Sequence, residues 1–173
     1  MNVTMTDIKK LREMTGAGLS DCKKALAESD DMDGAVAYLR KKGQAVAAKR
    51  SDREAAEGCV LVKVADGFGA IIALKCETDF VANNADFVAL TQQILDAAVA
   101  NKCKSLEEVN ALPMGDGTVS DAVTARSGIT GEKMELDGYS YIEGDNICTY
   151  NHMNRNGLCA MVAFSAPVEA EVG

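Results

Sequence analysis

Two apolar runs, Cys59–Ala65 and Phe68–Cys76, are separated by nothing but Asp66-Gly67. That dipeptide is among the strongest short-range hairpin signals, because a type I′ turn needs positive φ at both central positions. The runs are rich in Val, Ile and Leu, so they pair back on each other as antiparallel strands. A chain with this hairpin in its middle contains a sheet, and its other segments must cover the sheet's apolar face.

The downstream segments supply that cover. A helix is expected at about Asn84–Asn101, where Phe87, Leu90, Ile94, Leu95 and Ala98 recur at helical spacing. Residues 113–117, PMGDG, read as a loop, and Val119–Arg126 as a short helix. Met134–Ile142 alternates as M-E-L-D-G-Y-S-Y-I and reads as a third strand. Cys148–Ser165 then repeats the plan of Cys59–Cys76, with Asn156-Gly157 corresponding to Asp66-Gly67 and Leu158–Phe164 to Ala70–Leu74. A hairpin alone is marginal in water. It therefore either joins the first sheet or is covered by a continuation past Gly173, and the expectation is a truncated version of a longer protein.

Upstream the period is helical. Thr6 is a plausible N-cap with Asp7 in the first turn, and Ile8, Leu11 and Met14 fall on one face. Gly16 and Gly18 break that helix. A second starts at about Ser20, with Cys22, Ala25 and Leu26 on one side. Asp30, Asp31 and Asp33 open a third carrying Val36 and Leu39, and Gly43 is a natural C-cap. Three helices this short bury little surface, and such a head suits docking to something else.

Charge divides along the same line. Residues 1–53 hold 11 of the 18 Lys and Arg and 8 of the 26 Asp and Glu, so a head of +3 precedes a body of −11. Two modules follow from such a split. The net charge of −8 argues against a wholesale nucleic-acid binder. Residues 40–53, RKKGQAVAAKRSDR, contain six basic side chains and one acid. They read as a solvated helical linker, or as an electrostatic contact with an acidic partner or a nucleic acid. No apolar run approaches the roughly 18 residues of a membrane span. The opening MNVTMTDIKK has no apolar core of a secretory signal, so the cytoplasm is the expected compartment.

Candidate chemistry is sparse. The six cysteines have no C-x-x-C spacing, and His152 is the one histidine, so no metal or other cofactor is expected. The cysteines read as small buried apolar residues in a reducing compartment. There is no phosphate-binding G-x-x-x-x-G-K-[ST] and no catalytic constellation. The most unusual stretch is Cys76-Glu77-Thr78-Asp79-Phe80-Val81-Ala82-Asn83, between an apolar strand and a helix. It reads as a helix entry, with Thr78 or Asp79 capping and Phe80 or Val81 stapling. Alternatively, Asp79 and Phe80 project at the corner as a probe for a partner's pocket.

Two stretches carry a family resemblance. Leu11–Leu26, LREMTGAGLSDCKKAL, and Ala73–Asn83, ALKCETDFVAN, resemble the two signatures of the translation elongation factor Ts family, in the family's order. The second has Ala73 where the family usually has an acid and Lys75 where it usually has Asn. The resemblance covers most of the chain and weakens through about 105–127.

The resemblance implies an α+β fold. Residues 1–45 would form a three-helix ubiquitin-associated-like domain and 46–56 a helical connector. Residues 57–145 would form a core subdomain of antiparallel sheet plus helices, and 146–173 the hairpin opening a second, truncated one. The implied function is guanine-nucleotide exchange on elongation factor Tu, by binding and not by bond-making chemistry. Arg12, Leu19, Ser20 and Lys23 would lie at the contact with that partner's nucleotide domain, Ser20 standing where the family often has methionine. Asp79 and Phe80 match the family's pair that unsettles the partner's magnesium site. Ile129–Lys133, ITGEK, resembles the family's Gly-Glu-Asn stretch and implies Thr130 and Gly131 at the interface. His152 stands where the family has a histidine facing another partner domain, within a segment carrying an apparent one-residue insertion. No membrane and no direct nucleic-acid partner are implied. A reading of another class is a ubiquitin-like or peptide-binding adaptor built on the head, which leaves Asp79-Phe80 idle.

Overall fold

The computed structural model of the chain describes residues 3–169, which form two compact units. The first unit comprises the chain up to Arg53 together with Thr124–Lys133, and the second comprises the rest.

In the first unit, α1 (Met5–Thr15), α2 (Leu19–Ala27) and α3 (Met32–Lys49) bury Ile8, Leu11, Cys22, Ala25, Leu26 and Ala35. Thr4, not Thr6, caps α1. From Thr4 the carboxylate at Asp7 is three residues on, so each side chain meets the other's backbone N–H at 3.2 Å in a reciprocal capping box. The Thr4 hydroxyl, 2.6 Å away, donates to Asp7 and holds that carboxyl below its usual pKa. Met14 is exposed and does not join the core. Gly16, at φ 71°, ends α1 in the left-handed conformation.

Gly43 does not end α3. The helix runs on to Lys49, because Gly43 is buried against Thr124, Ala125 and Gly128 of α7 (Val119–Thr130). An apparent stop signal is thus a place of close helix approach. Residues 50–53 turn and 54–56 take no regular structure, so the helical part of the expected connector ends at Lys49.

The second unit is built on the predicted hairpin. β1 (Glu57–Ala65) and β2 (Phe68–Cys76) pair in a register that leaves only Asp66 and Gly67 between them. Their φ values are 50° and 70°, as the turn requires. After β3 (Pro113–Met114) and β4 (Gly117–Thr118), which make a tiny hairpin of the expected loop, β5 (Glu135–Glu143) completes a sheet ordered β1-β2-β5. A shift in the β2–β5 register falls at Ala73/Leu74. Ala73 faces Gly138 there, where any side chain would collide with the Ala73 methyl, and Lys75 pairs with Asp137 at 2.7 Å.

One face of this sheet is covered. A single turn, α4 (Asp79–Ala82), leads to α5 (Ala85–Ala100), which lays Phe87, Ile94, Leu95 and Ala98 on Phe68, Ile72 and Leu74. α6 (Leu106–Ala111) adds Val109, and the first two turns of α7 add Val119 and Val123. These α5 contacts are the predicted stripe. Leu90 packs at its margin only partly buried. The mixture of helices and antiparallel sheet is the expected α+β class.

β6 (Ile147–Asn151) and β7 (Cys159–Ala163) form a separate two-stranded hairpin. It does not extend the first sheet. Asn151 pairs with Cys159, so residues 152–158 make a loop, and Asn156-Gly157 is not a two-residue turn. The loop is fastened to β1, where the Val60 N–H donates to the Asn156 carbonyl at 2.6 Å and the Cys159 thiol to the Val60 carbonyl at 3.3 Å.

Candidate functional site

The β2–α4 corner is set by three local devices. The thiol of Cys76, the buried last residue of β2, donates to the Thr78 carbonyl at 3.2 Å. Thr78, extended at φ −127°, caps α4 by accepting the Val81 N–H at 3.4 Å. Asn83 closes the turn, its backbone N–H and side-chain amide both donating to the Asp79 carbonyl, at 3.0 and 2.8 Å. Within this turn Ala82 is buried and Val81 packs on the core, so Val81 and not Phe80 is the staple.

Helical geometry then leaves Asp79 and Phe80 on the outside. Phe80 is 85% exposed, against complete burial for Phe87 two turns later. Leaving a phenyl ring in water forgoes about 1.5–3 kcal/mol of burial free energy. A large aromatic presented this way on a capped turn can enter an apolar pocket of another molecule, with the adjacent carboxylate fixing its orientation.

His152 begins a single 3-10 turn (His152–Asn154) and is exposed. Its Nδ1 shares a 2.8 Å hydrogen bond with the Tyr150 hydroxyl, and the rings meet edge-on with centroids 5.8 Å apart. Met153, Asn154 and Asn156 hold positive φ of 53°, 52° and 55°, which non-glycine residues adopt at a cost of order 1–3 kcal/mol each. This loop and the end of α4 face one another. A depression of about 430 Å³ lies between them, lined by Gly58, Asn83, Arg155 and Asn156 among others. The turn bearing Asp79-Phe80 and the loop bearing His152 thus border one cleft.

The other candidates belong to the first unit. Arg12 on α1 and Leu19, Ser20 and Lys23 on α2 are all exposed. Thr130 is exposed on the last turn of α7, and Gly131, at φ 76°, caps it by donating to the Ser127 carbonyl at 2.8 Å. The two sets are neighbours: a Cβ on Gly16, between Arg12 and Leu19, would lie 3.6 Å from both Arg126 and Ile129 of α7. Sequence reasoning missed Met14, which joins Leu19 as exposed apolar surface on this unit. The signal was its place on the helix, about 60° beyond Leu11 and away from Ile8.

The thiols offer no such presentation. Cys22, Cys59, Cys76 and Cys103 are buried, Cys148 and Cys159 partly so, and all six are free. Burial pushes the thiols of Cys22, Cys59, Cys103 and Cys159 up, away from the reactive thiolate. Among the described residues no helix is long and apolar enough to cross a membrane.

Comparison with known proteins bears on these residues. The family model described as elongation factor TS matches residues 77–173. The chain is 73% identical over 173 residues to elongation factor Ts of Bacteroides fragilis, covering 99% of this chain and 52% of that protein. It is 67% identical to elongation factor Ts of Bacteroides thetaiotaomicron over 99% of this chain and 52% of that protein. For elongation factor Ts of Porphyromonas gingivalis the identity is 56%, over 99% of this chain and 63% of that protein. The chain spans about half the length of the Bacteroides relatives.

Proposed function

Because the chain belongs to the elongation factor Ts family, we propose that it acts in translation elongation as a guanine-nucleotide exchange factor, promoting GDP release from elongation factor Tu. The observation that carries this reading is Phe80, 85% exposed beside Asp79 on a turn anchored through Val81 and Ala82.

The mechanism follows from linkage. A GTPase holds GDP largely through Mg²⁺ and the phosphates. Phe80, inserted between partner helices, displaces the elements that hold them. The factor need only bind the empty partner better than the GDP-bound one, and reciprocity makes nucleotide binding weaker in return. No bond in GDP is made or broken. In this reading residues 1–45 are the docking head, 46–56 the connector and 57–145 the subdomain carrying the probe, with 146–173 belonging to a second subdomain. Arg12, Leu19, Ser20 and Lys23 meet the partner's nucleotide domain, with Thr130 and Gly131 beside them, and His152 meets another partner domain.

Release of a fluorescent GDP from elongation factor Tu tests this. A version extended beyond Gly173 accelerates release saturably, the 173-residue chain does so poorly, and Phe80→Ala in the extended version lowers the maximal rate by roughly tenfold or more, about 1.4 kcal/mol of barrier. No acceleration by the extended version, or an undiminished rate with its Phe80→Ala variant, overturns the reading.

A further inference from the structure

We propose that the solvent face of the C-terminal half of α3 binds the phosphate backbone of a nucleic-acid duplex, a role that does not rest on the exchange reading. Arg40, Lys41, Gln44, Ala45, Ala48 and Lys49 are all exposed and, at spacings of three, four and eight residues, line one side of the helix. The side chains of Arg40, Lys41 and Lys49 make no ion pair or hydrogen bond among the described residues. Lys42, one position around the helix, is instead committed to Asp21 at 2.5 Å.

The spacers are as informative as the cations. An exposed helix face ordinarily mixes acids with bases, and this one has no acid and only Gln and Ala between its charges. Short side chains let the helix lie close to a charged surface, with Lys41 and Lys49 about 12 Å apart along its axis. Arg50 and Arg53 follow, and Lys133 docks beside them by donating to the Ser51 carbonyl at 3.1 Å. Asp21 flanks the strip at Lys42, and the other acids near it stand toward its ends. Lys41 shares a surface depression with Glu28, Asp30 and Asp31 of the α2–α3 turn, and Asp52 accepts from the Ser51 hydroxyl beyond the helix end.

The chemistry selects among polyanions. Protein interfaces concentrate aromatic and apolar side chains at their centres and deplete lysine there, and this strip has neither aromatic nor large apolar groups. A single strand is gripped by stacking its bases on aromatic rings. A duplex backbone asks only for cations at a closely approaching surface. The chain's net charge of −8 argues against nucleic acid only if charge is evenly spread. Here Arg40, Lys41 and Lys49 stand on one helix face with no acid between them.

The probe is a labelled RNA duplex of about twenty base pairs, titrated with the 173-residue protein from low to physiological salt. The expected Kd is about 10⁻⁵ M at physiological salt and tightens on dilution, with log Kd changing by about 0.9 per log salt for each phosphate contacted. R40Q/K41Q/K49Q, with unchanged circular dichroism, weakens low-salt binding at least tenfold and flattens that slope by roughly 2.7. The single variant Lys49→Gln, which guards against misfolding of the triple one, flattens it by about 0.9. Polyglutamate of matched charge does not displace the protein from the duplex. Absence of binding, unchanged slopes in the variants, or displacement of the protein by polyglutamate overturns the proposal.

Discussion

Gly128 of α7 lies so close to Gly43 of α3 that a Cβ built on Gly128 would sit 2.3 Å from the Gly43 Cα. The obstruction is backbone, so no side chain can swing aside. Gly128→Ala must push the two helices apart, and with them the α7 end that carries Thr130. Overpacking of this kind costs typically 1–3 kcal/mol, only partly offset by the roughly 1 kcal/mol that alanine gains in helix propensity. At Gly43 the nearest obstacle is the Thr124 carbonyl at 3.4 Å, so Gly43→Ala is close to neutral. Urea unfolding of both variants checks the asymmetry, and a Gly128→Ala protein as stable as its parent refutes the crossing.

The same pair marks a limit of local reading. Glycine after a basic helical stretch is a stop signal, and only contact with residues far along the chain turns Gly43 into a packing device. Asp66-Gly67 was legible because a two-residue turn is decided by its own backbone. Asn156-Gly157 resembled it, yet the Asn151–Cys159 pairing and the loop's ties to β1 set a longer connection. Thr6 reads as a cap from its place before Asp7, but Asp7 lies one residue from it and three from Thr4, and only the spacing of three closes the capping box. The corner at Thr78–Asn83 was legible as a helix entry. Which of Phe80 and Val81 points inward depended on where the sheet and α5 lie, and spacing alone left that open.

Phe80 and Phe87 separate function from stability within one short segment. Phe87→Ala removes a fully buried ring from beneath α5 and costs about 3–5 kcal/mol. Phe80→Ala removes a ring already in water and stays within about 0.5 kcal/mol of the parent. Thermal denaturation of the two variants reads this directly. A large destabilisation by Phe80→Ala means the ring packs in solution and cannot serve as a probe.

Thr78 holds the corner that presents that ring. Thr78→Ala removes the acceptor of the Val81 N–H, a loss typically worth about 0.5–2 kcal/mol. The effect is expected locally, as faster amide hydrogen exchange at Val81 and Ala82, whereas amides in the middle of α5 change little. Nucleotide release then slows in the same direction as with Phe80→Ala but less, because the ring is present and only its presentation is loosened. Thr78→Ser keeps the acceptor and restores both readouts. Unchanged exchange at Val81 in Thr78→Ala rejects the capping role.

Tyr139 gives the fold a defined weakness at high pH. Its hydroxyl donates to the Cys103 carbonyl at 2.6 Å, and burial, reinforced by Cys103, pushes its pKa up to about 12 from an ordinary value of 10. The unfolded chain therefore releases this proton first as pH rises. Stability from the group is complete below about pH 10 and is lost as pH climbs toward about 12. Buried Cys22, Cys59 and Cys103 and half-buried Cys159, whose thiols are also raised, begin the same loss at lower pH. Tyr139→Phe cannot ionise, so its stability falls less steeply over that upper interval, after a constant penalty for the missing hydrogen bond of about 0.5–1.5 kcal/mol. Urea midpoints of parent and variant, followed across the alkaline range, should converge. Parallel curves would mean that Tyr139 ionises as readily folded as unfolded.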